Sequence, residues 1–257
     1  MNVDASVDGV LGGFGHISAT DVKGSKDFLF GLGRIDFTNG YAAECGGGIG
    51  RTSKDLLTPL FKGVDLIEPC GKFVAKAKEL LKDNAKMENY WELGLEAWTP
   101  QPGRYSLIWC QWVLPHLPDD DLVAFFQRCV AGLAPGGVIG VKENIARDGF
   151  IMDKDDTSIT RTALQYKSIF KRAGLKIIAD TLQTGFPSVL FPVRMFALIP
   201  DPAATAGAVA GADAAAGTGA GEGEEAMAGD AKRGRLSSGD KAGESDEHVQ
   251  ISGVSSE

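Results

Sequence analysis

Apolar and polar positions along residues 40–200 follow two periods, and the switches between them mark the elements. Short apolar runs predict strands at Gly40–Cys45, Val64–Glu68, Tyr105–Cys110 and Val138–Lys142, with closing strands at Leu175–Thr181 and Arg194–Ile199. Apolar residues three and four apart predict helices over Thr52–Phe61, Phe73–Lys82, Leu122–Leu133 and Ile159–Ala173, the last with Gly174 as its C-cap. Ala134-Pro135-Gly136-Gly137 reads as a tight turn before a strand. Strands and helices alternate, which predicts an α/β fold: an open, largely parallel sheet with helices on both faces.

The pattern stops near Pro200. Residues 201–257 are dominated by Ala, Gly, Ser and acids and contain no aromatic residue. Such a segment buries too little apolar surface to offset chain entropy, so it is expected to be disordered. The expected organisation is one domain, residues 1–200, and an acidic Ala/Gly-rich tail, residues 201–257. The tail holds 11 acidic and 4 basic residues of a chain whose net charge is −8, so the domain is close to neutral. Lys232-Arg233-Gly234-Arg235 fits a nuclear import signal, and fits solvated tail charge better.

The N-terminus lacks the basic-then-apolar order of a secretory signal, and no run of about 18 apolar residues is present to span a membrane. Cys45, Cys70, Cys110 and Cys129 form no C-x-x-C pair and have no neighbouring His cluster, so no metal site is expected. They read as reduced thiols of a cytoplasmic or nuclear protein. The acidic balance argues against nucleic acid as the main partner and suits a basic ligand.

Candidate chemistry centres on Glu44-Cys45-Gly46-Gly47-Gly48-Ile49-Gly50, where the first strand meets the first helix. Glycines there let backbone approach a ligand closely, at the crevice where doubly wound sheets bind nucleotides. Alone, the turn also fits a dehydrogenase or a purely structural bend. Glu68 ends the second strand, where a carboxylate accepts hydrogen bonds from ribose hydroxyls; a surface acid before Pro69 is the plain alternative.

Four segments resemble one family, the protein N-terminal methyltransferases that recognise Xaa-Pro-Lys. They are Val7-Asp8-Gly9-Val10-Leu11-Gly12-Gly13-Phe14-Gly15-His16-Ile17-Ser18, Cys45 through Arg51, Ile108-Trp109-Cys110-Gln111-Trp112-Val113-Leu114-Pro115-His116-Leu117, and Lys142-Glu143-Asn144 with Asp153-Lys154-Asp155-Asp156-Thr157-Ser158. The first and third are rich in Gly and Trp and are specific. The resemblance runs from about Val7 to Leu198. It implies a Rossmann-like class I methyltransferase sheet with an N-terminal β-hairpin-like insertion. The implied cofactor is S-adenosyl-L-methionine, with S-adenosyl-L-homocysteine as product. The implied substrates are protein N-termini of Xaa-Pro-Lys type, methylated on the free α-amine after Met removal.

The family's cofactor contacts fall on Gly46, on Arg51 (methionine carboxylate), on Glu68 (ribose), on Leu95 and Glu96 (adenine side), and on Gln111 (methionine end). The substrate contacts fall on Asn144 for the peptide backbone, on Asp153 and Ser158 for the lysine, and on Leu11, Ile17 and Leu190 for the proline. His116 and Asp156 take the catalytic role. Their chemistry is consistent: an α-amine has a pKa of about 8 and must lose a proton before its lone pair attacks. Read without the family, Asp153–Asp156 also fits a solvated turn or a helix start, His116 a loop closure, and Arg51 a surface ion pair.

The chain departs from the family in three places. The usual upstream Tyr-Trp pair has no counterpart, Phe191 stands where a Tyr is usual, and Glu96 replaces an amide. A small-molecule methyltransferase, or a catalytically weak module that binds S-adenosylmethionine or peptide, are the competing readings.

Overall fold

The computed structural model describes residues 3–203. The expected tail therefore lies almost wholly outside the described residues. The chain opens with a short helix, Val7–Val10 (α1), a 3-10 turn, Gly15–Ile17, and a longer helix, Ser18–Gly31 (α2). Strand Tyr41–Cys45 (β1) leads through the glycine turn into a π turn, Ser53–Leu57, that runs on into Thr58–Leu60 (α3). Next come Gly63–Ile67 (β2), Gly71–Leu80 (α4), Met87–Trp91 (β3) and Tyr105–Gln111 (β4). A 3-10 turn, Leu114–His116, precedes Asp119–Gly132 (α5) and Leu133–Asn144 (β5). A hairpin, Phe150–Asp153 (β6) and Ser158–Arg161 (β7), is followed by Ala163–Arg172 (α6), Leu175–Leu182 (β8) and Val193–Pro200 (β9).

Seven strands form one sheet in the order β3-β2-β1-β4-β5-β9-β8. Its first five strands are parallel, and β9 pairs antiparallel with both β5 and β8. Every residue of β2 and β4 is buried, as expected of parallel strands covered on both faces. Along β4 the side chains alternate between two layers: Ile108 and Cys110 join Phe125, Phe126 and Phe170, while Leu107 and Trp109 join Phe28, Leu29, Leu56 and Leu57. Helices α5 and α6 thus cover one face, and α2 with the Ser53–Leu60 stretch covers the other. Strand order reverses between β1 and β4, so the crevice at their carboxyl ends is where such a sheet binds ligands.

The structure corrects three sequence expectations. The N-terminal segment is helical and not a β-hairpin-like insertion. Ser6 Oγ accepts from Gly9 N at 3.1 Å and Asp8 Oδ1 from Gly15 N at 2.9 Å, caps that hold the chain in turns. The hairpin instead lies at β6–β7, where a helix from Ile159 was expected. That helix starts at Ala163, because Thr162 and Gln165 form a reciprocal capping box. Gly174 ends it with φ +74, as expected. Finally, α2 and β3 went unpredicted.

Candidate active site

The glycine turn is shaped by its lack of side chains. Gly46 has φ +69, and a Cβ there would lie 2.4 Å from Val113 Cβ; a Cβ on Gly47 would lie 2.4 Å from Leu66 Cγ. Both amides donate to Ile67 O at 2.9 Å, which folds the turn back onto β2. Gly48, φ +52, has only Val10 within reach, so the turn's surface is open toward the N-terminal segment. A cavity between that segment and the turn is lined by Val10, Leu11, Gly46, Gly48, Arg51 and Trp112.

Glu68 sits at the end of β2 and is nearly inaccessible. Its Oε2 accepts from Gly48 N and its Oε1 from Cys70 N, both at 2.9 Å. Each oxygen keeps a further lone pair for a hydroxyl donor. Burial raises its pKa to about 7. Glu44, at the end of β1, is raised to about 7 for the same reason. It accepts from Ser53 N at 2.8 Å and from the Ser53 hydroxyl, tying the first strand to the following helix.

Arg51 is buried, not a surface residue. Its Nη2 lies 2.8 Å from Asp21 Oδ2, and its Nη1 donates to Ser18 Oγ at 3.3 Å. Lys142 Nζ lies 2.6 Å from Asp21 Oδ1 and donates to Ser25 Oγ at 2.9 Å and Gln183 Oε1 at 2.8 Å. Gln111 Nε2 donates to both Asp21 oxygens at 2.9 and 3.0 Å, and its Oε1 accepts from Trp109 Nε1. The Gln111 side chain is thus committed to this network. Asp21 stays ionised because its two cations and these hydrogen bonds outweigh desolvation and hold its pKa below the usual carboxylate value. Two cations against one carboxylate leave an excess of positive charge, suited to a carboxylate ligand.

In the loop expected to flank the adenine, Leu95 is buried in the core and Glu96 is exposed. Arg128 on α5 fixes their backbone: it donates to Leu95 O at 2.7 Å, Glu96 O at 3.1 Å and Trp98 O at 3.0 Å.

The residues expected to meet the substrate lie in five separate stretches. Leu11, Ile17 and Leu190 come together with Trp112 and Val193 in one buried apolar cluster. Asn144 is buried at the end of β5, and His116 is half-buried at the end of its 3-10 turn. Strand β7 packs on that turn. In the hairpin, Asp153 pairs with Ser158, and Asp153 Oδ1 accepts from Asp155 N at 2.8 Å. Asp156 is buried with its Oδ1 lacking a partner among the described residues. Thr157 beside it takes φ +57. Trp112 has φ +52, a strained conformation for a bulky residue, and its indole Nε1 is buried with no partner among the described residues. Strain and unpaired polar atoms of this kind concentrate where ligands bind.

Sequence reasoning missed Asp21, Glu44, Lys142 and Arg128 as site residues. The only signal for Asp21 was an acid three residues after Ser18, a helix-start pattern. Among the described residues no group of three or more His, Cys, Asp and Glu could hold a metal ion, and no helix is long and apolar enough to cross a membrane. The four cysteines are free.

A sheet of order β3-β2-β1-β4-β5-β9-β8 with β9 antiparallel, the glycine turn and the acid ending the second strand fit a class I S-adenosylmethionine-dependent methyltransferase. The chain belongs to the family of AdoMet-dependent proline di-methyltransferases, whose model matches residues 1–199. It is 45% identical over 202 residues to the N-terminal Xaa-Pro-Lys N-methyltransferase 1 of Xenopus tropicalis, covering 77% of this chain and 90% of the relative. It is 45% identical over 204 residues to the alpha N-terminal protein methyltransferase 1 of Schizosaccharomyces pombe, covering 77% and 91%. A solved S-adenosylmethionine-dependent methyltransferase from Leishmania major superposes with a TM-score of 0.74 at 38% identity, covering 77% of this chain and 78% of that one.

The residues present fit the methyl donor. Glu68 has lone pairs free for ribose hydroxyls, the Arg51–Asp21–Lys142 cluster suits a carboxylate, and the glycine turn leaves room that side chains would fill.

Proposed function

We propose that this protein methylates the free α-amino group of protein N-termini of Xaa-Pro-Lys type, exposed after Met removal. The observation that carries the reading is an apolar cluster (Leu11, Ile17, Leu190, Trp112) whose Trp112 leads directly into the Leu114–His116 turn, on which strand β7 of the hairpin bearing Asp153, Asp156 and Ser158 packs. An apolar wall beside acids suits a terminus that presents a proline and then a lysine.

S-adenosylmethionine, when bound, supplies a methyl group on a positively charged sulfur. Gly46, Arg51 and Glu68 hold it, Leu95 and Glu96 flank the adenine through their backbone, and Gln111 acts through Asp21. The substrate amine arrives largely protonated, with a pKa of about 8. His116 and Asp156 accept its proton and free the lone pair for attack. Asp156 Oδ1, buried and without a partner among the described residues, is suited to an ammonium. Asn144 orients the peptide backbone, Asp153 and Ser158 take the lysine ammonium, and Leu11, Ile17 and Leu190 enclose the proline. Residues 1–200 form the catalytic domain, and the reaction takes place in the cytoplasm, the nucleus or both.

Turnover of Ser-Pro-Lys and Ser-Pro-Glu peptides by the wild type and by Asp153→Lys tests the substrate assignment. The wild type should prefer lysine, and the charge reversal should remove or invert that preference. An unchanged preference in Asp153→Lys would sink the assignment. Turnover of small amines with none of either peptide would favour a small-molecule methyltransferase.

A further inference from the structure

The Trp112–Leu117 stretch carries both the strained Trp112 and the proposed base His116, so what fixes this stretch matters. Its amides and carbonyls are held by two different buried side chains. Glu143, fully buried on β5, accepts from Val113 N at 2.9 Å and Leu114 N at 3.0 Å, both through Oε1. Arg161, on β7 and 2% exposed, donates to Leu117 O at 2.7 Å and Leu114 O at 3.4 Å, and is anchored by Asp119 at 2.8 Å. A third tie, Trp112 N to Lys142 O at 3.1 Å, comes from the residue next to Glu143.

A left-handed tryptophan is costly and persists only where its surroundings over-determine it. The two amides that follow Trp112 are the ones Glu143 receives. They have no other acceptor among the described residues, so without this carboxyl they would be buried and unsatisfied. The second oxygen, Oε2, is buried without a partner among the described residues, as is the Tyr166 hydroxyl. The carboxyl's hydrogen bonds thus run to this turn, with the Arg161 guanidinium acting on it electrostatically.

We propose that Glu143 is a positioning residue for methyl transfer: its Oε1 clamps the Val113 and Leu114 amides and so sets the Trp112 indole and the His116 imidazole against the substrate. This rests on the methyltransferase reading above and on the part given there to His116. The clamp needs an acceptor oxygen and no charge. Burial raises the Glu143 pKa to about 8, so at neutral pH the group is mostly protonated while Oε1 still accepts. Glutamine keeps that oxygen, whereas alanine leaves both amides bare.

The test uses the full chain with S-adenosylmethionine and a Ser-Pro-Lys peptide, comparing Glu143→Gln, Glu143→Asp, Glu143→Ala and His116→Ala. The readouts are kcat, peptide KM, cofactor dissociation constant and Trp fluorescence. Glu143→Gln should keep kcat near wild type. Glu143→Ala should lower kcat by about 100-fold, the cost of a misplacement of about 1 Å. Its cofactor affinity should be kept and its Trp emission shifted. Glu143→Asp, which withdraws the oxygen by one methylene, should fall between them, and it decides the matter if the alanine variant does not fold. Wild-type kcat in folded Glu143→Ala, or in Glu143→Asp where alanine does not fold, overturns the proposal. So does an equal loss in Glu143→Gln and Glu143→Ala, or a loss confined to cofactor affinity. If His116→Ala is unimpaired while Glu143→Ala fails, the base assignment falls and the clamp stands through Trp112. The reverse result removes the clamp and leaves the base.

Discussion

Arg51 on the first helix after the glycine turn and Asp21 on α2 form a buried ion pair, 2.8 Å between Nη2 and Oδ2. The pair joins the N-terminal helical segment to the nucleotide end of the sheet. The same carboxylate holds Lys142 at 2.6 Å, so one acid pairs with two interior cations across three elements.

Replacing Asp21 by Asn keeps the shape and removes the charge. Two buried cations would then face each other unpaired, and breaking a buried pair costs about 3–5 kcal/mol. Asp21→Asn should lower the melting temperature strongly and weaken cofactor binding as Arg51 loses its anchor. A variant that melts and binds as wild type does would show that the network is not structural.

Stability should depend on pH through three buried acids. Glu44 and Glu68 are raised to about 7 and Glu143 to about 8, all by burial, from an ordinary value of 4.5. A carboxyl whose folded pKa lies above its unfolded one contributes stability below the unfolded value, and that contribution is lost as pH rises through the folded value. Asp21, shifted downward, works oppositely and only in acid below its ordinary 3.8. The cofactor-free chain should therefore melt at progressively lower temperature from about pH 5 to pH 8. Glu143→Gln should remove part of the slope. Scanning calorimetry across that range checks the sign, and a melting temperature rising with pH would refute it.

Arg128 fastens the Leu95–Trp98 loop, proposed to flank the adenine, through three backbone carbonyls. Hydrogen bonds from a charged donor contribute about 1.5–3 kcal/mol each when not compensated by water. Arg128→Ala should weaken S-adenosylhomocysteine binding by about tenfold, or 1.4 kcal/mol, with peptide KM little changed. Calorimetric titration measures the first and steady-state kinetics the second. Weakened peptide binding with an intact cofactor site would argue against this role.

The legible part of the fold was the part written in apolar periodicity. The five parallel strands β1 to β5, apart from β3, sit in or near fully buried runs and were predicted within a few residues. Strand β3 is an edge strand with no fully buried residue, so its sequence Met-Glu-Asn-Tyr-Trp carries little pattern. Helix α2 has helical spacing on its buried face, but that face is Asp21, Ser25, Phe28 and Leu29. Half of it is polar because it serves Arg51, Lys142 and Gln111, and an apolar template does not register it. The β6–β7 hairpin was hidden because Phe150, Ile151 and Met152 are exposed, while Ser158 and Thr160 are buried, the inverse of an ordinary amphipathic strand. Gly46 and Glu68 were legible from the glycine turn and from the acid ending the second strand, whereas Leu11 and Ile17 came from the family resemblance; Leu11 and Gly46 line the same cavity, and Glu68 accepts from the turn at Gly48 N. Asp21 and Glu143 were not, because their partners are up to 121 residues away in the chain.

The proposed base pair separates chemistry from binding. A positioned general base contributes about 100- to 10,000-fold to rate. His116→Ala and Asp156→Asn should each lower kcat by about 100-fold or more while leaving the cofactor dissociation constant close to wild type. Rapid-quench and titration measurements on the same preparations distinguish the two effects. Normal turnover in both variants would show that the amine loses its proton elsewhere.

In the proposed reaction the α-amine itself receives the methyl group. The most direct measurement incubates the chain and S-adenosylmethionine with two Ser-Pro-Lys peptides, one with a free and one with an acetylated α-amine, and reads the peptide masses. Whole methyl additions are expected on the free peptide and none on the acetylated one. Equal labelling of both would place the reaction on the lysine side chain, and no labelling of either with cofactor bound would mark a binding module; each result contradicts the account.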